Sequence, residues 1–499
     1  MKIKLIKLIQ NELIKIFKRK SIYFLFLISI IAIIIYNYIN PDQNPALGFD
    51  NNTSDYNIEA LENTLDKIPN NTEHYIMQKV SIELYKVYNS FEEGSWQRYA
   101  LKEETTEMVI NDVNTNYNLD IEKYLENIIK YELNSGYEIS EESYNISKTK
   151  YNEYLQALNS NDWKEFVRLK IRNLKELKDA SQDELNIEIE YYNLRLENNI
   201  NFGYNILNQY LRNYKSNCYG ILTMRTYENE SQAFINENIN RYKANMSLCK
   251  YAIENNINYD ISNNDNLITD NKIDARISFI RTFEHFDIIM VIIIIYISTT
   301  IVTEETNKGT IKGLLTKPHK RSTILLSKIL ACIITTIIAM VIVLITQFIV
   351  GGVIFGFDSY KLDYIGYNFN NEQVFTMNLF IYNILVGISK LPMYIIMILF
   401  CIFIGVVNNH TSMSMLLTLI IFLISDTVLK EWSKVEALSL VTRYFITNNW
   451  DFSIYLFGGI SNISGVTLIS SIFIYIVYMI ILLALSIYKL NKKEINNVT

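Results

Sequence analysis

Few residues in this chain break helices. Among 499 residues there are 5 prolines and 16 glycines, so little in the sequence interrupts long helical runs. Four histidines, His74, His285, His319 and His410, are scattered, and no metal or nucleophile constellation can be assembled from them. Four cysteines do not make a disulfide-rich pattern: Cys332 and Cys401 fall in apolar runs, and Cys218 and Cys249 could pair or stay as thiols. Also missing is a G-x-x-x-x-G-K-[ST] loop to cradle phosphates; GTIKGLLTK has glycines and lysines but lacks the required ending. The chain is therefore not expected to hydrolyse ATP, and no cofactor is assigned to it.

What the chain has in quantity is apolar length. Its hydrophobic content is 49% beside 20% charged residues, and its mean hydropathy is +0.08, averages that conceal two populations. Runs apolar on all sides lie near 22–39, 286–302, 324–350, 391–407, 413–429 and 465–488. Each is long enough to cross a hydrocarbon core of about 30 Å, which predicts six transmembrane helices. MKIKLIKLIQNELIKIFKRK has Glu12 as its only acid among seven lysines and arginines, which places it in the cytoplasm. Six crossings return the C-terminus, with Lys489, Lys492 and Lys493, to the same side. The first run has no small residues at a cleavage spacing and reads as an uncleaved anchor.

Residues 41–285 form the second population, with 25 Lys and Arg against 40 Asp and Glu. An acidic, extracellular, all-helical domain is expected here. In NDWKEFVRLKIRNLKEL, Asp162 and Glu165 read as a capping box, and Trp163, Phe166, Leu169 and Ile171 to Leu174 as one apolar face. Similar faces run through IEKYLENIIKYEL and SYNISKTKYNEYLQAL, broken at NSGYEIS. The many tyrosines are expected to pack between helices with their hydroxyls in water. Both ends of the domain run into spans, at Tyr38 and Asp287, without a Gly/Ser linker, so the membrane helices are expected to continue rigidly into it.

Between the second and third runs lies the charged strip TEETNKGTIKGLLTKPHKRSTILLSK, too polar for lipid. Glu304 and Glu305 suit the start of a short helix, Ile311, Leu314 and Leu315 recur on one face, and Pro318 ends the element. The plainer reading is a basic loop on lipid headgroups. The strip resembles the first cytoplasmic loop of ABC-2 type exporter permeases, which carries an acid, Gly-Thr, a base, paired Leu, Pro, Arg and a later Ser-Lys. Here those are Glu305, Gly309, Thr310, Lys312, Leu314, Leu315, Pro318, Arg321, Ser327 and Lys328. The resemblance is specific in the strip; elsewhere it is architectural, covering the amphipathic N-terminal helix, the large external insertion, six spans and a basic tail.

The resemblance implies an all-α membrane protein of the bacterial plasma membrane. Its parts would be a cytoplasmic helix at 1–20, a first span at 21–40, the extracellular domain at 41–285 and a second span at 286–303. A coupling helix at 304–322, four spans with short external helices at 323–490, and a cytoplasmic tail at 491–499 complete it. Glu304 to Arg321 would dock on a separate ATP-binding subunit, which holds the ATP and magnesium. The other implied partners are a second permease, identical or paralogous, and membrane lipid, with no role for nucleic acid. Cargo would be amphipathic: a peptide, lipid or drug. The alternatives are a non-transporting receptor or scaffold with a helical ectodomain, and a mechanotransmitting antimicrobial-peptide resistance complex. Gln347, Asn383, Lys390, Asn408, Asn409, Asp426 and Arg443 are the polar residues near the spans that could line a path. Lys390, just before Pro392, is expected to snorkel to the outer headgroups.

Overall fold

The computed structural model describes residues 2–39, 53–67, 82, 85–102, 153–154, 156–176, 181–227, 232–261, 274–307, 320–408, 410–429, 432, 436–459, 461, 463 and 465–492. IEKYLENIIKYEL, NSGYEIS, most of SYNISKTKYNEYLQAL, His74, His319 and Asn409 lie outside these residues.

The fold is mainly helical. An amphipathic helix, α1 (Lys2–Phe17), is followed after two residues by α2 (Lys20–Ile39). The inserted domain contributes α3 (Ile58–Leu65), α4 (Trp163–Glu176), α5 (Gln182–Glu197), α6 (Ile206–Thr226) and α7 (Gln232–Glu254). Then come α8 (Ala275–Ile280), α9 (Thr282–His285), α10 (Asp287–Asn307) and α11 (Arg321–Phe355). A hairpin of β1 (Tyr364–Asn368) and β2 (Gln373–Met377) leads into α12 (Leu379–Asn408), α13 (Thr411–Ile424), α14 (Glu436–Thr442) and α15 (Leu468–Lys492).

Among the described residues, six helices are long and apolar enough to cross a membrane: Lys20–Ile39, Asp287–Glu305, Arg321–Phe355, Leu379–Asn408, Thr411–Leu429 and Leu468–Lys492. Around the central rod α10, whose Met290, Val291, Ile294 and Ile297 are buried, pack α2, α11, α12 and α13. The outer helices leave large apolar side chains uncovered. On α15, Ile469 is 81% and Phe473 69% exposed, a surface that water would penalise and lipid would not. The fourth of these helices starts at Leu379, twelve residues before the predicted 391, and keeps Pro392 inside it. The spacing misplaces this start because proline ends helices in water, whereas packed membrane helices re-satisfy the carbonyl it frees.

The inserted domain has its own core. Of the predicted face of α4, Phe166, Ile171 and Leu174 are buried and Trp163 and Leu169 half-buried, with Val167 buried beside them, and the Asp162 carboxylate accepts from the backbone N–H of Lys164 at 2.9 Å and of Glu165 at 3.3 Å. Several tyrosines depart from expectation, because their hydroxyls are bonded inside the domain. Tyr210 is fully buried, donates to the Tyr259 carbonyl at 2.6 Å and accepts from the N–H of Ile261 at 2.9 Å. Burial pushes its phenol well above the ordinary range. Cys218 and Cys249 are separate, buried thiols; desolvation raises Cys218 to about 11.

Segment 356–390, hard to assign from sequence, folds as the hairpin and the first turns of α12, and the two faces of the hairpin do different work. Ile365, Tyr367 and Val374 pack on the domain core, while Tyr364, Phe375 and Met377 join an aromatic cluster with Phe279, Phe348 and Tyr360. The period-two alternation of strands lets one ribbon join the domain to the spans. Gly366 is required where two rings close over the backbone: a Cβ there would lie 2.6 Å from the Tyr364 ring and 2.8 Å from Phe375.

Candidate functional site at the root of the strip

Gly309, Thr310, Lys312, Leu314, Leu315 and Pro318 lie outside the described residues, which resume at Lys320. The two roots of the strip are described. Glu304 and Glu305 close the last turn of α10, and Arg321, Ser327 and Lys328 lie in the first turns of α11.

These roots meet α1. Glu12 and Ile16 form its buried stripe, one helical turn apart, and bring the only acid of a basic helix against the spans. Two carboxylates and two ammonium groups then alternate around a ring. Lys15 Nζ lies 2.7 Å from Glu12 and 2.7 Å from Glu305, and Lys328 Nζ lies 3.0 Å from Glu12 and 2.8 Å from Glu305. Lys328 donates its third proton to the Ile301 carbonyl at 3.0 Å, so all three of its donors are used. Arg19 extends the cluster, with Nη1 donating to Thr300 Oγ1 at 2.5 Å and Nη2 3.3 Å from the Glu304 carboxylate. Among the described residues three cations face three carboxylates, the balance under which buried charge is tolerated. Lys328 and Glu12 are nearly enclosed, with side chains 5% and 4% exposed. Burial works against the Lys15 ammonium, but hydrogen bonds and charge from Glu12 and Glu305 outweigh it and hold Lys15 above its ordinary range.

Arg321 serves a different joint. Its Nη1 donates to the carbonyls of Leu490 at 2.9 Å and Asn491 at 2.8 Å, occupying acceptors that the end of α15 leaves open. Ser327 Oγ donates back to the Ile324 carbonyl at 2.7 Å. Glu304, Glu305 and Arg321 are thus engaged within the chain, where the described residues on either side of the strip end and resume. Sequence reasoning missed Glu12, Lys15 and Arg19 as members of this site; the available signal was one acid in a run of bases, on the apolar stripe of its helix.

At the opposite end of the bundle a second ionic cluster holds the start of α10. Lys390 of α12 lies 2.6 Å from Asp451 and 3.6 Å from Asp287, and Tyr394, one turn further along α12, donates to Asp287 at 2.7 Å. Lys390 is therefore held, part-buried, between two carboxylates instead of snorkelling to the headgroups as expected. Its partners are 61 positions away and more, so no local pattern announces them. Burial pushes the Asp451 carboxyl up, but the Lys390 charge and its hydrogen bonds prevail and hold it below the usual carboxylate range.

Among the described side chains, the other polar candidates do not gather into one path. Gln347 joins the first and third long helices to the domain boundary: it receives the amide of Asn37 at 2.9 Å and donates to Ser278 at 2.5 Å. Asn383 donates to the Leu379 carbonyl at 3.2 Å, and Arg443 donates to the Tyr444 hydroxyl at 2.9 Å. Asn408 ends α12, Asp426 lies in the π-turn after α13, and Asn409 is outside the described residues.

No curated protein and no solved structure matches the chain. A family model described as Protein of unknown function (DUF2705) matches residues 244–496, from the middle of α7 through the last span, and so contains Glu305, Lys328, Asp287, Lys390 and Asp451 but none of α1. That is just over half of the 499 residues, and the chain belongs to this family.

Proposed function

We propose that the chain is the membrane-spanning permease subunit of an ABC exporter, driven by a separate ATP-binding subunit that grips the strip between α10 and α11. The observation that carries this reading is the ring of Glu12, Lys15, Glu305 and Lys328. It ties α1 to both roots of the strip, so a push on the strip moves three helices as one base. The far end of α10 is held by Lys390 and Asp451 through Asp287, which gives that movement a second point of delivery.

In this reading the basic end of the bundle, with α1 and the end of α15, faces the cytoplasm of a bacterium, and the acidic inserted domain lies outside. A second permease, identical or paralogous, completes the transporter. Cargo is an amphipathic peptide, lipid or drug, because the described span interiors offer hydroxyls and amides but few carboxylates. ATP and magnesium belong to the partner, in keeping with the missing phosphate-binding loop.

A second reading, mechanotransmission from the inserted domain without passage of cargo, is favoured by one feature. Helices α8, α9 and α10 follow one another with single residues between them, and Arg276 of α8 donates to the Asp260 carbonyl of the domain. Movement of the domain would then reach the central rod directly.

The test is purification of the tagged chain from native membranes in mild detergent. An ATP-binding subunit carrying the phosphate loop, together with ATP hydrolysis that responds to amphipathic compounds, supports transport. Hydrolysis that responds only to ligands of the inserted domain, with no vesicle uptake, supports the second reading. Absence of any such subunit contradicts both.

A further inference from the structure

Among the described residues, the end of the bundle that holds the ionic ring has more lysines than acids. Glu12, Glu304 and Glu305 are engaged by Lys15, Arg19 and Lys328. Six other lysines at that end are exposed: Lys7 of α1, Lys18 just after it, Lys20 at the start of α2, Lys320 just before α11, and Lys489 and Lys492 in the last turn of α15. Among the described residues, no carboxylate lies within ion-pairing distance of any of them. Their common level is fixed by the contacts already described, Lys328 to Glu12 and Arg321 to the Leu490 and Asn491 carbonyls.

We infer that these six lysines form a collar that binds the headgroups of anionic phospholipids. Two features select lipid. The collar comes from four separate elements and coincides with the ends of apolar spans, where a headgroup layer must lie. Apolar side chains also alternate with the lysines: Ile6 and Ile14 of α1 are 54% and 53% exposed, and Tyr488 of α15 is 51% exposed with Lys492 Nζ 4.6 Å from its ring centre. A basic helix with exposed isoleucines lies in the plane of an interface, its apolar side chains in the acyl boundary and its ammonium groups on phosphate. Each lysine near an anionic surface favours it roughly fivefold, so the collar acts as a selective lipid shell around the ionic ring.

The experiment uses the full chain in nanodiscs of phosphatidylglycerol and phosphatidylcholine in equal parts, with retained lipid read by native mass spectrometry. The unaltered chain should retain phosphatidylglycerol several-fold over phosphatidylcholine. Raising salt to about 1 M, where screening reaches within about 3 Å, should remove that preference without any substitution. The combined variant Lys7→Gln, Lys18→Gln, Lys20→Gln, Lys320→Gln, Lys489→Gln and Lys492→Gln should lose it at low salt, whereas Lys361→Gln, at the other end beside Asp358, should not. Equal retention of both lipids by the unaltered chain overturns the inference. So does a preference that survives high salt, or one that needs a bound protein partner to appear. If the combined variant does not fold, the salt series on the unaltered chain decides.

Discussion

Glu12 and Lys328 stand 316 positions apart in the chain and 3.0 Å apart in space. One belongs to a short amphipathic helix and the other to a long membrane helix, and both are nearly excluded from solvent. Such a pair contributes little net stability relative to a well-packed apolar pair, but its loss on one side leaves an uncompensated buried charge. The ring therefore acts as a joint: it holds α1, α10 and α11 in one geometry and resists their separation.

Lys328→Met should destabilise the fold by about 3–5 kcal/mol, because Glu12 and Glu305 then face each other with only Lys15 between them. Adding Glu12→Gln should recover part of the loss. Thermal unfolding of the detergent-solubilised variants checks this, and additive losses in the double variant would show that the two residues do not interact.

Lys390→Met should cost more than Asp451→Asn, since removing the lysine leaves two part-buried carboxylates together and removing one carboxylate leaves a pair. A snorkelling lysine would give the reverse order, with Lys390→Met nearly silent. The same unfolding measurement separates the two.

Gly366→Val should destabilise by about 1–3 kcal/mol through overpacking, as the new side chain must displace the Tyr364 and Phe375 rings. The loss should be accompanied by faster hydrogen exchange in both α7 and the start of α12, because the hairpin joins the domain core to the spans. Exchange confined to the hairpin would limit its role to local packing.

The Lys15 contribution has a defined pH window. Its folded pKa is raised, so the stability it adds is fully present below the ordinary value of 10.5 and is lost as pH rises through the raised one. The stability difference between the unaltered chain and Lys15→Met should be constant from neutral pH to near that ordinary value and should shrink above it. A difference that shrinks on acidification instead would mean that the carboxylates of the ring control the window.

Much of the fold is legible in the sequence because it is local. The six apolar runs announce themselves by length, and α4 by the Asp162 cap and the spacing of Phe166, Ile171 and Leu174. The start of α12 is not, because Pro392 carries opposite meanings in water and in a packed membrane bundle. The hairpin is hidden too: its strands are five residues each, and both faces carry apolar side chains packed against different partners, so no polar alternation marks them. The site is half legible. Glu304, Glu305 and Arg321 stand out by motif, but their partners Lys15, Arg19 and Leu490 come from the chain's two ends, and pairing over that separation leaves no periodic trace.

The central claim is that the strip rooted at Glu305 and Lys328 grips an ATP-hydrolysing partner. A photo-cross-linking amino acid placed at Leu315 in the full chain, expressed in its native membrane, tests this most directly. The account predicts an adduct with an ATP-binding subunit whose yield changes between ATP-bound and nucleotide-free states, and a lower yield when Lys328→Met loosens the base. Adducts with phospholipid alone, from a chain that is folded and in the membrane, would contradict it.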